Sequence, residues 1–467
     1  MHRPSLRSRY IVAAALAAAV LLVSGLAAGD RQFMIDAPNP GGVLRTVTLD
    51  GNPVNLSNPF FQSLGTNGRS CASCHVAATG WTITPEDVQN RFDATGGTDP
   101  IFRTNDGSNS PDADCSSVAA RRAAYSMLLN KALIRVGMPI PRGAEFELVD
   151  VDDPYDYADE TELSLFRRPL PSTNLRFLTG VMWDGRESFG PLGTTPIFST
   201  ATPAENARAL FSDLKHQAND ATKGHAQGRP LSDGQREAIV RFEMNLATAQ
   251  IVDRGAGVLT ARRARGGPAY LADQKFYVTI NDVLGADVNN QPFDPRAMTL
   301  YDAWADSHNR RQAAIARGAA IFNDPRINIT DVGGLNDDLN VGVIRSACTA
   351  CHDSPNVGNH SVALPIDIGL TDEEVRTPDM PLYTLRNFAT GQTRKTTDPG
   401  RALITGKWND IGKFKGPVLR GLAGRAPYFH NGLAKDLAAV VDFYDTRFSI
   451  GFTNQEKDDL IAFLEAL

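Results

Sequence analysis

Two short cysteine–histidine motifs are the residues of this chain whose types and spacing most directly indicate chemistry. The first is Cys71-Ala72-Ser73-Cys74-His75 and the second is Cys348-Thr349-Ala350-Cys351-His352. Cysteines three residues apart on a helical turn face the same way, so their sulfurs can bond both vinyl groups of one haem. The histidine after each pair then brings an imidazole nitrogen to the iron as proximal ligand. The pattern predicts two covalently attached haem c groups.

Two other uses of paired cysteines compete with haem attachment. A zinc site can be built from two Cys-x-x-Cys knuckles, and a single such pair can act as a thioredoxin-like redox centre. Neither needs a histidine directly after each pair, and this favours haem. The fifth cysteine, Cys115, stands alone and is predicted to be a buried thiol rather than a reactive one.

The function of a haem depends on the sixth coordination position of its iron. No histidine lies between His75 and His216, so no histidine close in sequence can occupy the sixth coordination position of the first iron. An open or water-bound iron can bind peroxide, whereas a six-coordinate iron mainly passes electrons. His216 and His225 are candidates for moving protons, with a purely structural histidine as the alternative for each.

The first residues have the pattern of an export signal. Arg3, Arg7 and Arg9 precede an apolar run over residues 11–23, and small residues follow it. This predicts a signal peptide over residues 1–28 and a periplasmic protein, with an uncleaved membrane anchor as the alternative. The run is short for a membrane span, and no later segment is apolar for long enough to be one. No stable span is therefore expected after cleavage.

Length and composition set further limits. A chain of 467 residues is long enough for two or three domains with a sizeable core. Its net charge of −6 gives no reason to expect a nucleic-acid partner, which would call for a basic face. The same charge permits a cationic redox partner to be steered in.

Helical periodicity precedes the second motif and recurs at the end of the chain. Before the motif, the apolar residues that share one helical face are Ile315, Ala319 and Phe322. The residues that share a face at the end of the chain are Leu460, Phe463, Leu464 and Leu467. Thr453 and Glu456 have capping-box spacing just ahead of this last group. Both segments are predicted to be amphipathic helices.

Between these segments the sequence favours loops. Residues 95–100 and 106–114 are rich in Gly, Pro, Asp and Ser and are predicted to be ordered loops or surface excursions. Alternating, strand-like segments are few. The fold is predicted to be mainly α with long loops, and a connector at residues 289–292 predicts a domain boundary near residues 290–310.

Four motifs follow one another in a specific order. They are Arg69–His75, Trp183-Asp184-Gly185-Arg186, the second haem motif, and Phe414–Arg420 running on to Ala426–Gly432. This order resembles the bacterial di-haem cytochrome c peroxidases and the related MauG-type enzymes. The resemblance implies two cytochrome-c-like haem domains, at residues 30–300 and 305–467. The haem motifs lie further apart than in the compact peroxidases, which implies insertions at residues 90–165 and 205–305.

The resemblance also implies roles for single residues. Trp183 would lie between the haems and carry oxidising equivalents, or serve as a core tryptophan that anchors the domain interface. A family glutamate that moves protons matches Glu205, whose alternative is a solvated glutamate that starts a helix. His225 is the other catalytic candidate. Arg168 and Arg425 stand where relatives hold calcium through asparagine and threonine, which puts the usual calcium site in doubt.

The ligand opposite His352 is the last residue that the resemblance addresses. In the peroxidases a methionine stands at a fixed distance after the Tyr-Phe-His segment, and counting on from His430 arrives at Tyr444. MauG-type enzymes have a tyrosine there. Residues 437, 440, 441 and 444 share a helical face, which fits either an iron ligand or an aromatic that fills the core. Met380 is the other candidate ligand, and His430 is interpreted as structural.

The resemblance implies a periplasmic di-haem oxidoreductase. Hydrogen peroxide would react at the His75 haem, and the His352 haem would exchange electrons with a small cytochrome c or cupredoxin. One alternative is a MauG-type enzyme that stores a bis-Fe(IV) state and oxidises a partner protein. The other is not an enzyme but a di-haem electron carrier with both irons capped.

Overall fold

The computed structural model describes residues 34–190 and 202–467. The predicted signal peptide at residues 1–28 lies outside the described residues. Ten α-helices occur in the described part of the chain. They are α1 Pro85–Thr95, α2 Val118–Ala124, α3 Ser126–Lys131, α4 Pro203–Gly224, α5 Asp233–Met244, α6 Gly267–Ala272, α7 Arg310–Phe322, α8 Ala402–Thr405, α9 Leu437–Arg447 and α10 Asn454–Glu465. No helix in these ranges is both long and apolar enough to cross a membrane.

Eleven strands form four small antiparallel sheets within the same ranges. The strands are β1 Met34–Asn39, β2 Gly42–Thr48, β3 Ile134–Met138, β4 Phe146–Asp152, β5 Leu163–Arg167, β6 Leu246–Asp253, β7 Gly257–Val258, β8 Ile327–Ile329, β9 Ile344–Ser346, β10 Leu382–Asn387 and β11 Thr393–Thr396. The sheet orders are β1-β2-β6-β7, β11-β10-β4, β3-β5 and β8-β9.

The prediction of a mainly α fold is therefore correct only in part. Both haem motifs lie on short 3-10 turns and the chain ends in a helix, but strands β3 to β7 lie in or at the edge of the two ranges predicted as insertions. Strand β5 is buried at all five positions and β6 at seven of eight. Strands covered on both faces have no alternation of apolar and polar residues, so periodicity cannot separate them from short buried helices.

The two amphipathic helices predicted from periodicity are confirmed as α7 and α10. Ile315, Ala319 and Phe322 are buried on α7, and the predicted capping box of Thr453 and Glu456 begins α10. The two helices cross at Gly318, where an added Cβ would lie 2.0 Å from the carbonyl oxygen of Asp459. Only glycine lets the two backbones approach this closely.

The core around α7 and α10 also takes residues from earlier in the chain. Leu259 and Ala264 pack into it beside Trp304, Phe463 and Leu467. The predicted domain boundary near residues 290–310 stays a prediction. In the first half of the chain, α4 and α5 pack against each other and, with the first motif and the segment around residues 168–183, enclose a cavity.

Candidate haem sites

The first cysteine–histidine motif folds into a single helical turn. Cys71–Ser73 form a 3-10 turn, and the backbone N–H of Ser70 donates to the Ser73 hydroxyl at 3.0 Å. Nδ1 of His75 donates to the carbonyl oxygen of Trp81 at 3.0 Å. Burial lowers the pKa of His75 to about 4, so the imidazole is neutral. A neutral ring with Nδ1–H donated to the backbone has Nε2 as its basic nitrogen, which suits an iron ligand.

The second motif repeats this geometry. Cys348–Ala350 form a 3-10 turn, and Nδ1 of His352 donates to the carbonyl oxygen of Gly358 at 2.7 Å. Burial lowers the pKa of His352 to about 4, and the ring packs beside Phe322 at 6.0 Å between centroids. All four motif cysteines are free thiols. Each motif thus presents two thiols and a neutral imidazole on one helical turn. This donor set fits one haem group at each motif.

The fifth cysteine stands apart from both motifs. Cys115 is a free, half-buried thiol at the edge of the core around Phe92 and Tyr125. Its sulfur lies 3.5 Å from the Tyr125 hydroxyl. The predicted buried thiol is thus packed on one side and partly accessible on the other.

One cavity brings together the first motif and two of the other predicted site residues. Its lining includes Cys71, Cys74 and His75, together with Trp183 and His225. One face of α4 supplies more of the lining, through Leu214, Gln217, Ala218, Ala221 and Thr222. The cavity therefore has a mostly apolar wall on the α4 side, with a tryptophan and a histidine at its margins.

Trp183 is held at this cavity by its own polar atoms. Its indole Nε1–H donates to the carbonyl oxygen of Arg168 at 2.8 Å, and its carbonyl accepts from the backbone N–H of Lys415 at 2.9 Å. The Lys415 ammonium lies 6.0 Å from the indole centroid, and burial lowers the pKa of that group to about 8. The neighbouring Asp184 is fully buried and bonded to Arg167 at 2.5 Å, which fixes the turn that carries the tryptophan.

His225 belongs to a hydrogen-bonded chain of three residues. Its Nδ1 donates to Oδ2 of Asp106 at 2.5 Å, and Arg69 donates to the other carboxylate oxygen. Asp106 is 5% exposed. Burial alone would raise the pKa of Asp106, but the bond from His225 and the charge of Arg69 hold it below its ordinary value. The carboxylate therefore stays ionised and fixes which nitrogen of His225 carries the proton.

Glu205 lies elsewhere. Its side chain is exposed, does not line the cavity, and accepts hydrogen bonds from the backbone and hydroxyl of Thr202 in the capping box of α4. These hydrogen bonds lower the pKa of Glu205. This is the arrangement of a glutamate that starts a helix, and a role of Glu205 in proton transfer stays a prediction.

Tyr444 lies on α9 near the second motif. Burial raises the pKa of its phenol, and the charges of Cys351 and Cys348 act on it in the same direction. The ring packs against Phe443 at 5.4 Å and Phe429 at 6.2 Å between centroids. Since Phe429 also lines the first cavity, this aromatic group adjoins both sites.

Met380, the other candidate ligand, belongs to a different part of the fold. It is 6% exposed and packs with Met127, Leu133 and Phe166. This cluster contains no residue of the second motif.

Arg168 and Arg425 make extensive contacts with backbone carbonyls. Arg168 donates to the carbonyl oxygens of Lys131, Ile83 and Arg425 at 2.9, 2.8 and 3.1 Å. Arg425 donates to the carbonyl of Gly421 at 3.0 Å. Burial lowers the pKa of both guanidinium groups, to about 9 and about 10. Two fixed cations thus occupy the positions at which the family resemblance implies a calcium site.

Two buried acids near the first motif were missed by the sequence interpretation. Asp106 lies in a stretch predicted to be a loop, and nothing local links it to His225. Glu243 on α5 lines the cavity and is 6% exposed. Burial raises its pKa to about 7, and a hydrogen bond with the side chain of Ser172 offsets part of the rise. For Glu243, the only signal in the neighbouring sequence was an acidic residue at a helix position that suits an apolar side chain.

His430 is buried and stacked. Its ring lies 3.9 Å from Phe414 and 6.2 Å from Trp183 between centroids. Neither ring nitrogen has a hydrogen-bond partner among the described residues. Burial lowers its pKa to about 4, so it is a neutral ring packed behind the tryptophan.

Comparisons with known proteins were made for sequence and for structure. Cytochrome-c peroxidase IdrP1 of Pseudomonas sp. (strain SCT) is 27% identical over 276 residues, covering 55% of this chain and 62% of that protein. Cytochrome-c peroxidase IdrP1 of Denitromonas iodatirespirans is 26% identical over 327 residues, covering 64% and 82%. A solved MauG-like protein associated with microbial copper homeostasis is 18% identical, with 95% of each chain covered and a TM-score of 0.36. No family model matches the chain.

The curated relatives are cytochrome-c peroxidases, and the two cysteine–histidine sites of this chain have the donor sets that hold haem. The chain is similar in sequence to these bacterial cytochrome-c peroxidases. It spans less than two thirds of the length of the Pseudomonas relative.

Proposed function

We propose that the chain is a periplasmic di-haem c-type oxidoreductase that reacts with hydrogen peroxide at the first motif and exchanges electrons through the second. The four motif cysteines would attach the haems, and His75 and His352 would be the proximal ligands. The observation that carries the proposal is the shared cavity, in which Trp183 and His225 lie beside His75. A bound haem would supply the iron that takes up the oxidising equivalents of peroxide.

Proton transfer at the cavity is assigned to His225. Cleaving the O–O bond heterolytically needs a group that takes the proton from one peroxide oxygen and returns it to the leaving oxygen. Asp106 holds the proton of His225 on Nδ1, which leaves Nε2 basic. Arg69 in turn holds Asp106 in place. His225 therefore directs its second ring nitrogen, Nε2, to the role of proton acceptor in the first step.

Electron transfer is assigned to Trp183. Because its Nε1–H is donated to a backbone carbonyl, the indole is fixed in orientation and keeps its proton. The neutral ring of His430 and the Lys415 ammonium lie beside the indole, at 6.2 Å and 6.0 Å from it. An aromatic ring in this position offers an oxidisable group between the peroxide site and the rest of the protein.

A MauG-type enzyme that oxidises a partner protein is the second candidate function, and Tyr444 favours it. A free phenol with a raised pKa is protonated at neutral pH, so only a bound cation would hold Tyr444 as phenolate. An anionic oxygen ligand lowers the potential of a haem, whereas a thioether raises it. A second haem with Tyr444 as ligand would thus accept electrons poorly from ordinary cytochromes.

The location and domain division are proposed from the sequence. The charged and apolar N-terminal pattern supports export to the periplasm. The order of the four motifs supports haem domains at residues 30–300 and 305–467. The net charge of −6 supports a cationic electron donor.

The test is peroxide turnover by the purified, haem-loaded protein. The ferric protein should contain one high-spin haem, react with peroxide without prior reduction, and oxidise a reduced small cytochrome c or cupredoxin. Trp183→Phe should abolish oxidation of the donor while the initial reaction with peroxide continues. Trp408→Phe is the matched control, because Trp408 does not line the cavity, and it should behave as wild type. Two low-spin haems that ignore peroxide would instead identify an electron carrier.

The same experiment separates the two enzyme candidates. A peroxidase turns over steadily with the reduced donor. A MauG-type enzyme reacts with peroxide but oxidises small donors slowly, and its oxidised form persists until a protein substrate is supplied.

A further inference from the structure

A group of potential metal ligands lies on α4, away from the haem cavity. Glu187, from the segment just after Trp183, approaches His216 and Asp220 on α4, and one ligand atom from each residue lies within 4.8 Å of the others. The cavity is lined by other α4 residues, such as Ala218 and Ala221. The group therefore occupies a different face of the helix and is not part of the peroxide site.

Among the described residues, the buried carboxylates at this group lack neighbouring positive charges that would balance them. Glu187 is 8% exposed, and Asp213, one helical turn before His216, is 3% exposed. Among the described residues, neither carboxyl group has a lysine or arginine within ion-pair distance. Within the described ranges Glu187 bonds to His216 alone, and Asp213 accepts hydrogen bonds from the backbone of Phe189 and, at 3.4 Å, of Gly190. A buried carboxylate without such a partner binds a metal, pairs with another group or takes up a proton.

The nearest cations on the same segments have other partners. Arg186 is paired with Asp184 at 3.1 Å, and Lys215 with Asp233 at 2.6 Å. Lys223 reaches only the exposed Asp220, at 3.0 Å. Residues 191–201, which lie outside the described residues, contain no lysine or arginine in their sequence.

The donor set selects the kind of metal. An imidazole with two or three carboxylates suits a divalent first-row transition metal better than calcium or magnesium, which prefer oxygen ligands alone. His216 and Asp220 are 48% and 38% exposed at their side chains, so an ion can reach both from the solvent. His216 Nδ1 and Oε2 of Glu187 are hydrogen-bonded at 2.5 Å, so these two ligand groups already lie within reach of a single ion.

We propose that Glu187, His216 and Asp220, with Asp213 beside them, bind a divalent transition-metal cation of the zinc type. The ion would join α4 to the segment that follows Trp183. Since the other face of α4 lines the haem cavity, the site would hold one wall of that cavity against the turn that carries the tryptophan.

Zinc binding to the haem-loaded protein tests this. After treatment with chelator and gel filtration, the protein is titrated with zinc chloride by calorimetry, and zinc and iron are counted by mass spectrometry. We expect one zinc for every two haem irons, a raised melting temperature, and proton release that shows as a dependence of the heat on the buffer. Calcium chloride and magnesium chloride should bind much more weakly.

Three single variants identify the ligands. His216→Ala, Glu187→Gln and Asp220→Asn should each weaken zinc binding by about 10- to 100-fold or more. His308→Ala removes an exposed histidine outside the group and should leave zinc binding unchanged. An unchanged haem spectrum shows that each variant is folded, and the exposed Asp220 is the variant least able to disturb folding. Absent zinc binding, binding that survives all three changes, or tighter binding of calcium would overturn the proposal.

Discussion

Replacing Asp106 by asparagine tests the proton-transfer assignment most directly. Asp106 accepts from His225 through one carboxylate oxygen and from Arg69 through the other. An asparagine keeps the size and removes the charge. Because Arg69 can only donate, it would take the amide oxygen and turn the NH₂ group toward His225. Nδ1 must then accept, so the proton moves to Nε2 and the nitrogen that served as base is lost.

The size of the effect follows from the role and exposure of His225. A positioned general base contributes about 10²- to 10⁴-fold, and reversing the tautomer of a catalytic histidine in serine proteases costs about 10⁴-fold. The side chain of His225 is 38% exposed, so water and ring rotation can restore part of the loss. We therefore expect Asp106→Asn to slow the reaction with peroxide by about 10²-fold.

Stopped-flow absorbance at the Soret band measures the second-order rate constant for peroxide. His225→Gln should show a loss of similar size. Because Asp106 acts only through His225, the double variant should be no slower than His225→Gln alone. Circular dichroism and the haem spectrum of the resting protein check the fold, since Asp106→Asn leaves the buried Arg69 without its ion-pair partner.

The reasoning fails if the rate constant of Asp106→Asn equals that of wild type, or if the two changes slow the reaction additively. Glu205→Gln completes the comparison. The exposed capping position predicts a slightly lower melting temperature with little change in rate, whereas the family role predicts a loss of two or more orders of magnitude. If Glu205→Gln reacts slowly with peroxide and His225→Gln reacts at the wild-type rate, proton transfer is assigned to Glu205 and not to His225.

Three further predictions address the second haem, pH dependence and packing. Tyr444→Phe should change the resonance Raman and electron paramagnetic resonance signals of the second haem, and survival of those signals would exclude Tyr444 as ligand. Glu243 has a folded-state pKa of about 7 against an ordinary 4.5, so its stabilisation is present at low pH and is lost as the pH rises to 7. Glu243→Gln should therefore flatten this fall, which amounts to at most about 3 kcal/mol, in denaturant titrations at several pH values. Gly318→Ala should reduce the free energy of unfolding by about 1–3 kcal/mol because the new Cβ overlaps α10. Gly234→Ala, with open space at its Cβ, should not.

The parts of the fold that could be predicted are those encoded by nearby residues. Helices α7 and α10 follow from apolar residues one turn apart, and Thr453 with Glu456 marks where α10 begins. The motif turns were predicted because cysteine spacing and helical geometry are both local. The sheets were not predicted, since β5 and β6 are buried almost throughout and therefore show no alternation.

The proton-transfer group shows why the site could be predicted only in part. His225 was a candidate because histidine is a rare residue type with suitable chemistry, but a histidine alone does not define a base. What makes it one here is Asp106, which lies 119 positions earlier in a stretch predicted to be a loop. Arg69 reaches the same carboxylate from the turn before the first motif. Glu205 was favoured by its distance from Trp183 along the chain, yet its side chain is bonded to Thr202 instead. Chain distance cannot tell a glutamate that caps a helix from one that faces a cavity, because that difference depends on which way the helix enters the fold.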